Sequence, residues 1–417
     1  MQRTPRSNRL QIAILGRRNA GKSSLINALT NQDIALVSEV PGTTADPVYK
    51  AMEIPPIGPV TLIDTAGIDD IGELGMLRAE KTWSVLEKVD LVVLVIDATL
   101  GIGVPERSVM ERLSEMGAGD AGNCGKSRQT GGVPVVAVAN KVDLAPLAPI
   151  RKWEDTLGTE ITEVSSLTGE GTEKVKERII ASAPADWEGP SLTGDLVNPG
   201  DIVILVTPLD IQAPKGRLIL PQVQTIRDLL DNNARVMVVK EDAVAKSIEE
   251  LKVLPNLVIT DSQVFGVVSN QVPSNVRLTS FSIIFAKHKG DLSTLAAGAR
   301  HVSNLKPGAK VLIAEACTHH PVGDDIGRVK IPRWLEKHVG GKLDFSWTSG
   351  IGFPSDLKDF DLVVHCGGCM VTRREMLRRI AQVRQAGVPI VNYGVLIAYL
   401  HGIMERALKA INEAGIS

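Results

Sequence analysis

Two groups of residues in this 417-residue chain have the types and spacing to do chemistry. The first is Gly16-Arg17-Arg18-Asn19-Ala20-Gly21-Lys22-Ser23, which fits G-x-x-x-x-G-K-S between an apolar run, QIAIL, and a helical pattern, SLINAL. In that setting the glycines let backbone N–H groups close on phosphate oxygens, the Lys22 ammonium offsets β/γ-phosphate charge, and the Ser23 hydroxyl ligates magnesium. Asp64-Thr65-Ala66-Gly67 ends the run VTLID, which brings a carboxylate to the magnesium shell and a glycine N–H to where a γ-phosphate is sensed. Asn140-Lys141-Val142-Asp143 ends VPVVAVAN, and Asp143 accepts two hydrogen bonds that guanine N1 and N2 offer and adenine does not. Ser165-Ser166-Leu167, ahead of a further helical pattern, would cradle the base edge. These motifs in this order imply GTP rather than ATP, hydrolysed to GDP and phosphate. The residues against the nucleotide are then Asn19, Ala20, Gly21, Lys22, Ser23, Ser24, Asn140, Lys141, Asp143, Ser165, Ser166 and Leu167, with Lys22, Asp64 and Gly67 around the reacting phosphates. A near-match at residues 120–127, DAGNCGKS, has Asp120 in place of the first glycine and no strand before it, so it is set aside, and its Cys124 reads as an exposed thiol.

The second group is Cys317-Thr318-His319 and His365-Cys366-Gly367-Gly368-Cys369. Each half directly follows an apolar run, AKVLIAEA or DLVVHC, and parallel strands end on one carboxyl edge, where two sequence-distant cysteine groups can meet. Glycines between Cys366 and Cys369 let the loop fold back so that both sulfurs face one centre. On spacing alone three chemistries are open: structural zinc in a three-cysteine, one-histidine shell, an iron-sulfur cluster, or a metal-free thiol pair. Three thiolates on a 4Fe-4S cluster would leave one iron for His319, another residue or an exogenous ligand.

The elements that must position these groups read as α/β throughout. From residue 10 to about 183, β-rich runs alternate with amphipathic stretches, which predicts a P-loop domain, 1–183, with a parallel-type, helix-covered sheet. A Pro/Gly/Asp-rich stretch at 184–200 reads as a linker. Two smaller α/β domains follow: 201–275, with strands IVILVTP, ARVMVVK and NLVIT and no catalytic constellation, and 276–417, which holds Cys317, Cys366 and Cys369. A domain of some 75 residues is helped by a twin that buries a strand edge or apolar face, so 201–275 is expected to drive homodimerisation. Arg373, Arg374, Arg378, Arg379 and Arg384 read as a solvated basic helix, with attraction of an anionic partner as the alternative. Asn392-Tyr393-Gly394 either lines the cysteine pocket or caps the last helix.

Composition bounds the partners. At roughly 150 residues per domain the length suggests about three domains. A hydrophobic fraction of 44% with 23% charged residues excludes wholesale disorder. A net charge of -2 and 3% aromatics argue against nucleic acid as the main partner. The longest apolar stretch is interrupted by Asp97 and falls short of a membrane span, and the basic N-terminus has no apolar h-region behind it. A cytoplasmic protein with few cysteines, bunched toward the C-terminus, is the expectation.

The motifs GRRNAGKSS, PGTTADP and DTAGI resemble the TrmE-Era-EngA-like branch of the translation-factor-class GTPases. The resemblance implies that Thr44 closes over magnesium and the γ-phosphate, and that Asn19 is a ligand for a potassium ion that takes the part of an arginine finger. Ile68 stands where Ras-like GTPases carry a water-orienting glutamine, so slow intrinsic hydrolysis is expected. With the C-x-H and H-C-x-x-C segments added, the whole chain resembles the FeFe-hydrogenase maturation GTPases. That likeness implies a middle dimerisation domain and a 4Fe-4S cluster on Cys317, Cys366 and Cys369 with an exchangeable fourth position. His319 and His365 match the family pattern and rank below the cysteines. It further implies that the chain carries a diiron precursor, assembled with two radical-SAM maturases, to apo FeFe-hydrogenase. The alternative is an Era-like ribosome or tRNA-modification GTPase with an appended zinc or redox module.

Overall fold

The computed structural model describes residues 5–30, 47–69, 82–83, 85–86, 88–118, 133–185, 187–208, 218–316, 325–350, 353–354 and 356–412. The chain divides into two compact units, Met1–Glu188 and Gly189–Ser417.

The first unit is built on a six-stranded sheet, β2-β3-β1-β4-β5-β6, from β1 (Leu10–Gly16), β2 (Val48–Ile54), β3 (Gly58–Asp64), β4 (Leu91–Asp97), β5 (Val135–Asn140) and β6 (Ile161–Val164). All pairings are parallel except that of β2 with β3. β1 and β4 are buried along their whole length, which is why they read as continuous apolar runs. Alternate residues of β1 feed different layers. Leu10, Ile12 and Ile14 pack with Leu25 and Ile26 of α1 (Lys22–Thr30), while Ala13 and Leu15 pack with Val109 and Leu113 of α2 (Val104–Ala118). α3 (Ile150–Leu157) adds Leu157 to the second layer, and α4 (Thr172–Ser182) adds Val175 and Ile179 to the first. The expected strands QIAIL, VTLID and VPVVAVAN are present as β1, β3 and β5. β2, an antiparallel edge strand, and the four-residue β6 were not anticipated, so the sheet is mixed at one edge only.

The second unit contains two four-stranded sheets, each wholly parallel. One has the order β10-β9-β7-β8, from β7 (Ile202–Val206), β8 (Arg235–Val239), β9 (Leu257–Thr260) and β10 (Arg277–Ser280). The other has the order β12-β11-β13-β14, from β11 (Lys310–Glu315), β12 (Asp344–Ser349), β13 (Leu362–His365) and β14 (Ile390–Asn392). Helices α5 (Leu220–Asp231), α6 (Val244–Glu250) and α7 (Phe265–Ser269) accompany the first sheet; α8 (Phe281–Lys289) and α9 (Leu292–His301) lead from it to the second. α10 (Ile331–Val339), α11 (Arg373–Gln385), α12 (Tyr393–Leu400) and α13 (Met404–Asn412) complete the chain. The architecture is therefore the expected one, a P-loop-type α/β domain followed by two α/β domains with their own sheets.

One apolar core runs through both sheets of this unit, from Val203 and Ile259 through Ile284 of α8 and Leu295 of α9 to Ile313 and Val364. α8 can lie inside it because its FSIIFA face is buried nearly all round and its first turn is capped by the Ser280 hydroxyl, which accepts from the Ile283 N–H. Asp291 caps α9 in the same way through Thr294. Leu192, Leu196 and Val197, within the stretch read as a linker, are buried in this core, and Arg277 of β10 donates to the Leu196 carbonyl at 2.8 Å.

Candidate functional site

β1 delivers the chain to the phosphate loop at Gly16, where an added Cβ would stand 2.3 Å from the Val95 carbonyl oxygen. The loop then turns through positive φ at Asn19 (61°) and Gly21 (88°). A Cβ on Gly21 would lie 2.2 Å from Asn140 Nδ2, so glycine is required by close approach as well as by conformation. Lys22, buried at the first position of α1, curls back so that Nζ donates to the carbonyls of Gly16 at 3.0 Å and Arg17 at 2.9 Å. The ammonium is thereby held over the loop whose amides form an anion nest. Gly67 lies against the same loop: a Cβ there would approach Arg18 N to 2.9 Å. Ile68 N donates to Gly16 O at 3.3 Å, and its side chain packs on the core beneath, away from any role in orienting water.

Ser23 Oγ donates to Asp64 Oδ2 at 2.5 Å, from the start of α1 to the end of β3. Burial pushes the Asp64 carboxyl above its ordinary value, opposed by the Ser23 bond and the charges of Lys22 and Lys50. A hydroxyl and a carboxylate meeting beside a phosphate nest are hard oxygen donors, and the set fits magnesium. Thr44 lies outside the described residues.

On the base side, Asn140 is 1% exposed and acts as a strut. Its Nδ2 donates to the Ala20 carbonyl at 2.9 Å, while its Oδ1 accepts from Ser166 N at 3.0 Å and Ser166 Oγ at 2.9 Å. Asn140 thus joins the phosphate loop to the Ser165-Ser166-Leu167 loop. Lys141, at φ 66°, pairs with Asp97 at 2.6 Å; burial opposes ionisation of Asp97, but the bonds from Lys141 and Thr99 hold its carboxyl below the ordinary range. Asp143 is exposed, Ser165 is buried, Ser24 is half-buried and Leu167 is 86% exposed.

The motifs gave no hint of Glu106. Fully buried in the first turn of α2, it accepts two bonds from Arg17, both at 2.7 Å, and a third from Gly103 N at 2.8 Å. The bond to Glu106 raises the Arg17 guanidinium above its ordinary value, with burial opposing, so Arg17 is locked to α2. The only sequence signal was an acidic residue just inside a helix after Val-Pro.

In the second unit, β13 ends at His365 and Cys366 follows. Cys366 N donates to Ala314 O at 2.8 Å, and Cys366 Sγ accepts the Ala316 N–H at 3.1 Å. The continuation of β11 therefore reaches the Cys366 sulfur one residue before Cys317. Cys317 and His319 themselves lie outside the described residues, as does Cys124. Gly368 turns the loop at φ 65°, and Cys366 and Cys369, neither of them in a disulfide, are both half-buried. Burial pushes both thiols up; N–H groups of Ala316 and Gly368 counter this at Cys366. Among the described residues no three His, Cys, Asp or Glu side chains converge as a metal shell. A C-x-x-C pair on a glycine loop with a backbone N–H directed at sulfur is a donor set that fits a soft, thiolate-bound centre.

His365 is fully buried with both ring nitrogens engaged: Nδ1 bonds Cys366 O at 2.7 Å and Nε2 meets Arg379 Nη1 at 3.1 Å. Burial lowers its pKa to about 4, so the neutral ring donates from Nδ1 and accepts at Nε2. It braces the cysteine loop. Arg379, 1% exposed, also bonds Glu375 at 2.7 Å, and Arg373 bonds the His288 carbonyl at 2.9 Å. The expected solvated basic helix is thus corrected at α11: two of its arginines are structural, because the helix packs on α8 and β14. Asn392 caps α12 through the Val395 N–H at 2.9 Å, and Tyr393 Oη donates to Glu315 Oε1 at 3.2 Å at the end of β11. Lys289, also buried, donates to the carbonyls of Gly368, Cys369 and Val371; burial lowers its pKa to about 8 against the pull of the two cysteines.

Comparison with known proteins covers both units. The model for the 50S ribosome-binding GTPase family matches residues 11–141, that for the Hydrogen maturase F dimerization domain residues 192–290, and that for the Hydrogen maturase F tetramerization domain residues 293–410. The tRNA modification GTPase MnmE of Nitrosomonas europaea is 35% identical over 178 residues, covering 42% of this chain and 35% of that protein. The Aquifex aeolicus MnmE is 33% identical over 180 residues, covering 43% of this chain and 36% of that protein. The chain therefore spans about a third of the length of these curated relatives. A crystal structure of Aquifex aeolicus Era bound to GDP.AlF4- is 22% identical, covering 55% of this chain and 93% of that one, with a TM-score of 0.36.

Asn140→Ala removes a strut that satisfies the Ala20 carbonyl and two Ser166 donors, each side-chain bond being worth about 1 kcal/mol with a further desolvation cost where a buried partner is left unmet. Affinity for a fluorescent GDP analogue is expected to fall at least about tenfold, on the order of 1.4 kcal/mol. Unchanged affinity would contradict the assignment of Asn140 as the link between the two loops.

Proposed function

We propose, for a chain that carries a TrmE/Era-like GTPase domain followed by the Hydrogen maturase F dimerization and tetramerization domains, the following function. It is a GTP-hydrolysing scaffold that binds a 4Fe-4S cluster and carries a diiron precursor to apo FeFe-hydrogenase, working with two radical-SAM maturases. The observation that carries the reading is the thiol pair Cys366 and Cys369 at the carboxyl edge of the second parallel sheet, with the β11 continuation that leads into Cys317 bonded to the Cys366 sulfur.

At the nucleotide, the loop amides and Lys22 hold the β/γ-phosphates, Ser23 and Asp64 take magnesium, and Thr44 closes over both. Gly67 presents its N–H to the γ-phosphate, Asp143 reads guanine, and Ser165, Ser166 and Leu167 line the base edge. Ala20, Gly21, Ser24, Asn140 and Lys141 hold this shape, and Asn19 takes potassium. Ile68 is turned to the core and Arg17 is held by Glu106, so neither orients water or acts as a finger. Turnover is correspondingly slow, and the nucleotide acts by biasing two arrangements of domains or partners.

Cys317, Cys366 and Cys369 hold the cluster, which supplies an iron with an exchangeable position; His319, another residue or an external ligand fills it. His365 keeps the loop in place. The working division is 1–183 for the GTPase domain, 184–200 as linker, 201–275 for dimerisation and 276–417 for the cluster, in a cytoplasmic homodimer. No helix is long and apolar enough to cross a membrane among the described residues. The curated relatives favour a second reading, an Era-like ribosome or tRNA-modification GTPase with an appended zinc or redox module. The net charge of -2 counts against it.

Potassium is expected to raise GTP turnover over sodium at equal ionic strength, and Asn19→Ala to abolish the difference; equal initial rates in the two salts would reject the potassium site. Cys366→Ser is expected to abolish activation of apo-hydrogenase while GTP turnover stays within about twofold of wild type, since the change lies outside the GTPase unit. Lys22→Ala is expected to lose turnover yet still assemble iron and sulfide. Normal activation by Cys366→Ser would overturn the carrier role.

A further inference from the structure

Helix α8 ends on Lys289, which is 3% exposed. A lysine in the last turn of a helix ordinarily offsets the helix dipole while its amine reaches water. This one turns inward. Its Nζ donates to three successive stations of the cysteine loop, the carbonyls of Gly368 at 3.5 Å, Cys369 at 3.3 Å and Val371 at 3.1 Å. Among the described residues no carboxylate forms an ion pair with Lys289, and the acidic groups that bear on it are Cys369 and Cys366. Carbonyl dipoles orient an ammonium without cancelling its charge, and a buried charge is screened far less than one in water. The end of α8 is itself fixed, because Arg373 of α11 donates to the His288 carbonyl at 2.9 Å.

A buried cation without a carboxylate ion pair, bonded to the carbonyls of the loop that carries two thiols, has the sign that thiolates and a thiolate-bound iron-sulfur centre require. The loop also needs an anchor there. Gly367 meets nothing within 4 Å of where its Cβ would be, and Gly368 sits at φ 65°, so the two positions between the cysteines contribute no side chain that fixes the path of the loop. We propose that Lys289 is the positioning residue of the cysteine site: its ammonium ties down the loop 366–371 by its carbonyls and stands as a fixed positive charge that favours the reduced, more negative state of the cluster. This rests on the cluster reading above. It also gives the helix at the end of the dimerization-domain match a direct bearing on the loop inside the tetramerization-domain match.

The test uses the full chain, reconstituted anaerobically with iron and sulfide, as wild type, Lys289→Met and Lys289→Arg. The midpoint potential is read by EPR-monitored titration, and iron loss by a chelator challenge. Lys289→Met is expected to lower the reduced-to-oxidised ratio at the wild-type midpoint about tenfold, about 59 mV for one electron, and to lose iron several-fold faster. Lys289→Arg, which keeps the charge, is expected to return the potential most of the way to wild type. A role in packing alone would leave the potential unmoved, so a Lys289→Met midpoint equal to wild type overturns the proposal. If Lys289→Met takes up no cluster, Lys289→Arg decides: uptake near wild type supports the proposal, and no uptake overturns it. Wild-type protein that takes up no iron and sulfide overturns the cluster reading and this assignment together.

Discussion

Parallel strand pairing sends the carboxyl ends of neighbouring strands to one edge of a sheet, and both candidate sites exist because of it. In the first unit the ends of β1, β3, β5 and β6 bring Gly16, Asp64, Asn140 and the Ser165 loop together from across 150 residues of sequence. In the second, the ends of β11 and β13 bring Ala316 to the sulfur of Cys366 from fifty residues away. No side-chain interaction could assemble either set unless the backbone ladder had first fixed strand direction and register.

Each site then has to manage charge away from water, and the chain uses the same device twice. Lys22 and Lys289 are both buried ammonium groups held by main-chain carbonyls of the loop they serve, which orients the charge toward a ligand position. Two guanidinium groups are handled in the opposite way. Arg17 is tied bidentately to Glu106, which fixes the phosphate loop against α2, and Arg379 is bonded to Glu375 one turn earlier on α11. In these four cases the contrast fits the groups' shapes: a planar fork matches a carboxylate, and a compact ammonium sits well among several carbonyls.

Much of this was legible in the sequence, for identifiable reasons. Strands buried on both faces, such as β1, β4 and β13, appear as unbroken apolar runs, and glycines, Lys22 and Ser23 appear at fixed spacing because close approach to a phosphate leaves few alternatives. Edge strands were harder. β12, DFSWTS, is largely exposed and carries only Phe345 and Trp347 as apolar residues, and β10, RLTS, shows no alternation, so neither announces itself. Residues that act through others were nearly invisible. Asn140 reads from sequence only as a residue against the nucleotide, with no sign of its bonds to Ala20 and Ser166; His365 ranks below the cysteines, with no sign that both its ring nitrogens are engaged; and Arg379 looks like one charge among five on a solvated face. Their roles depend on what lies opposite in space, and periodicity carries no information about that.

The central claim is that the carboxyl edge of the second parallel sheet holds an iron-sulfur cluster while the first unit holds the nucleotide. The most direct measurement is the metal and sulfide content of the anaerobically reconstituted full chain together with its EPR spectrum after reduction. About four iron and four sulfide per chain with a cubane signal are expected, lost in Cys366→Ser and Cys369→Ser and retained in Lys22→Ala. Stoichiometric zinc with no paramagnetic signal would contradict it.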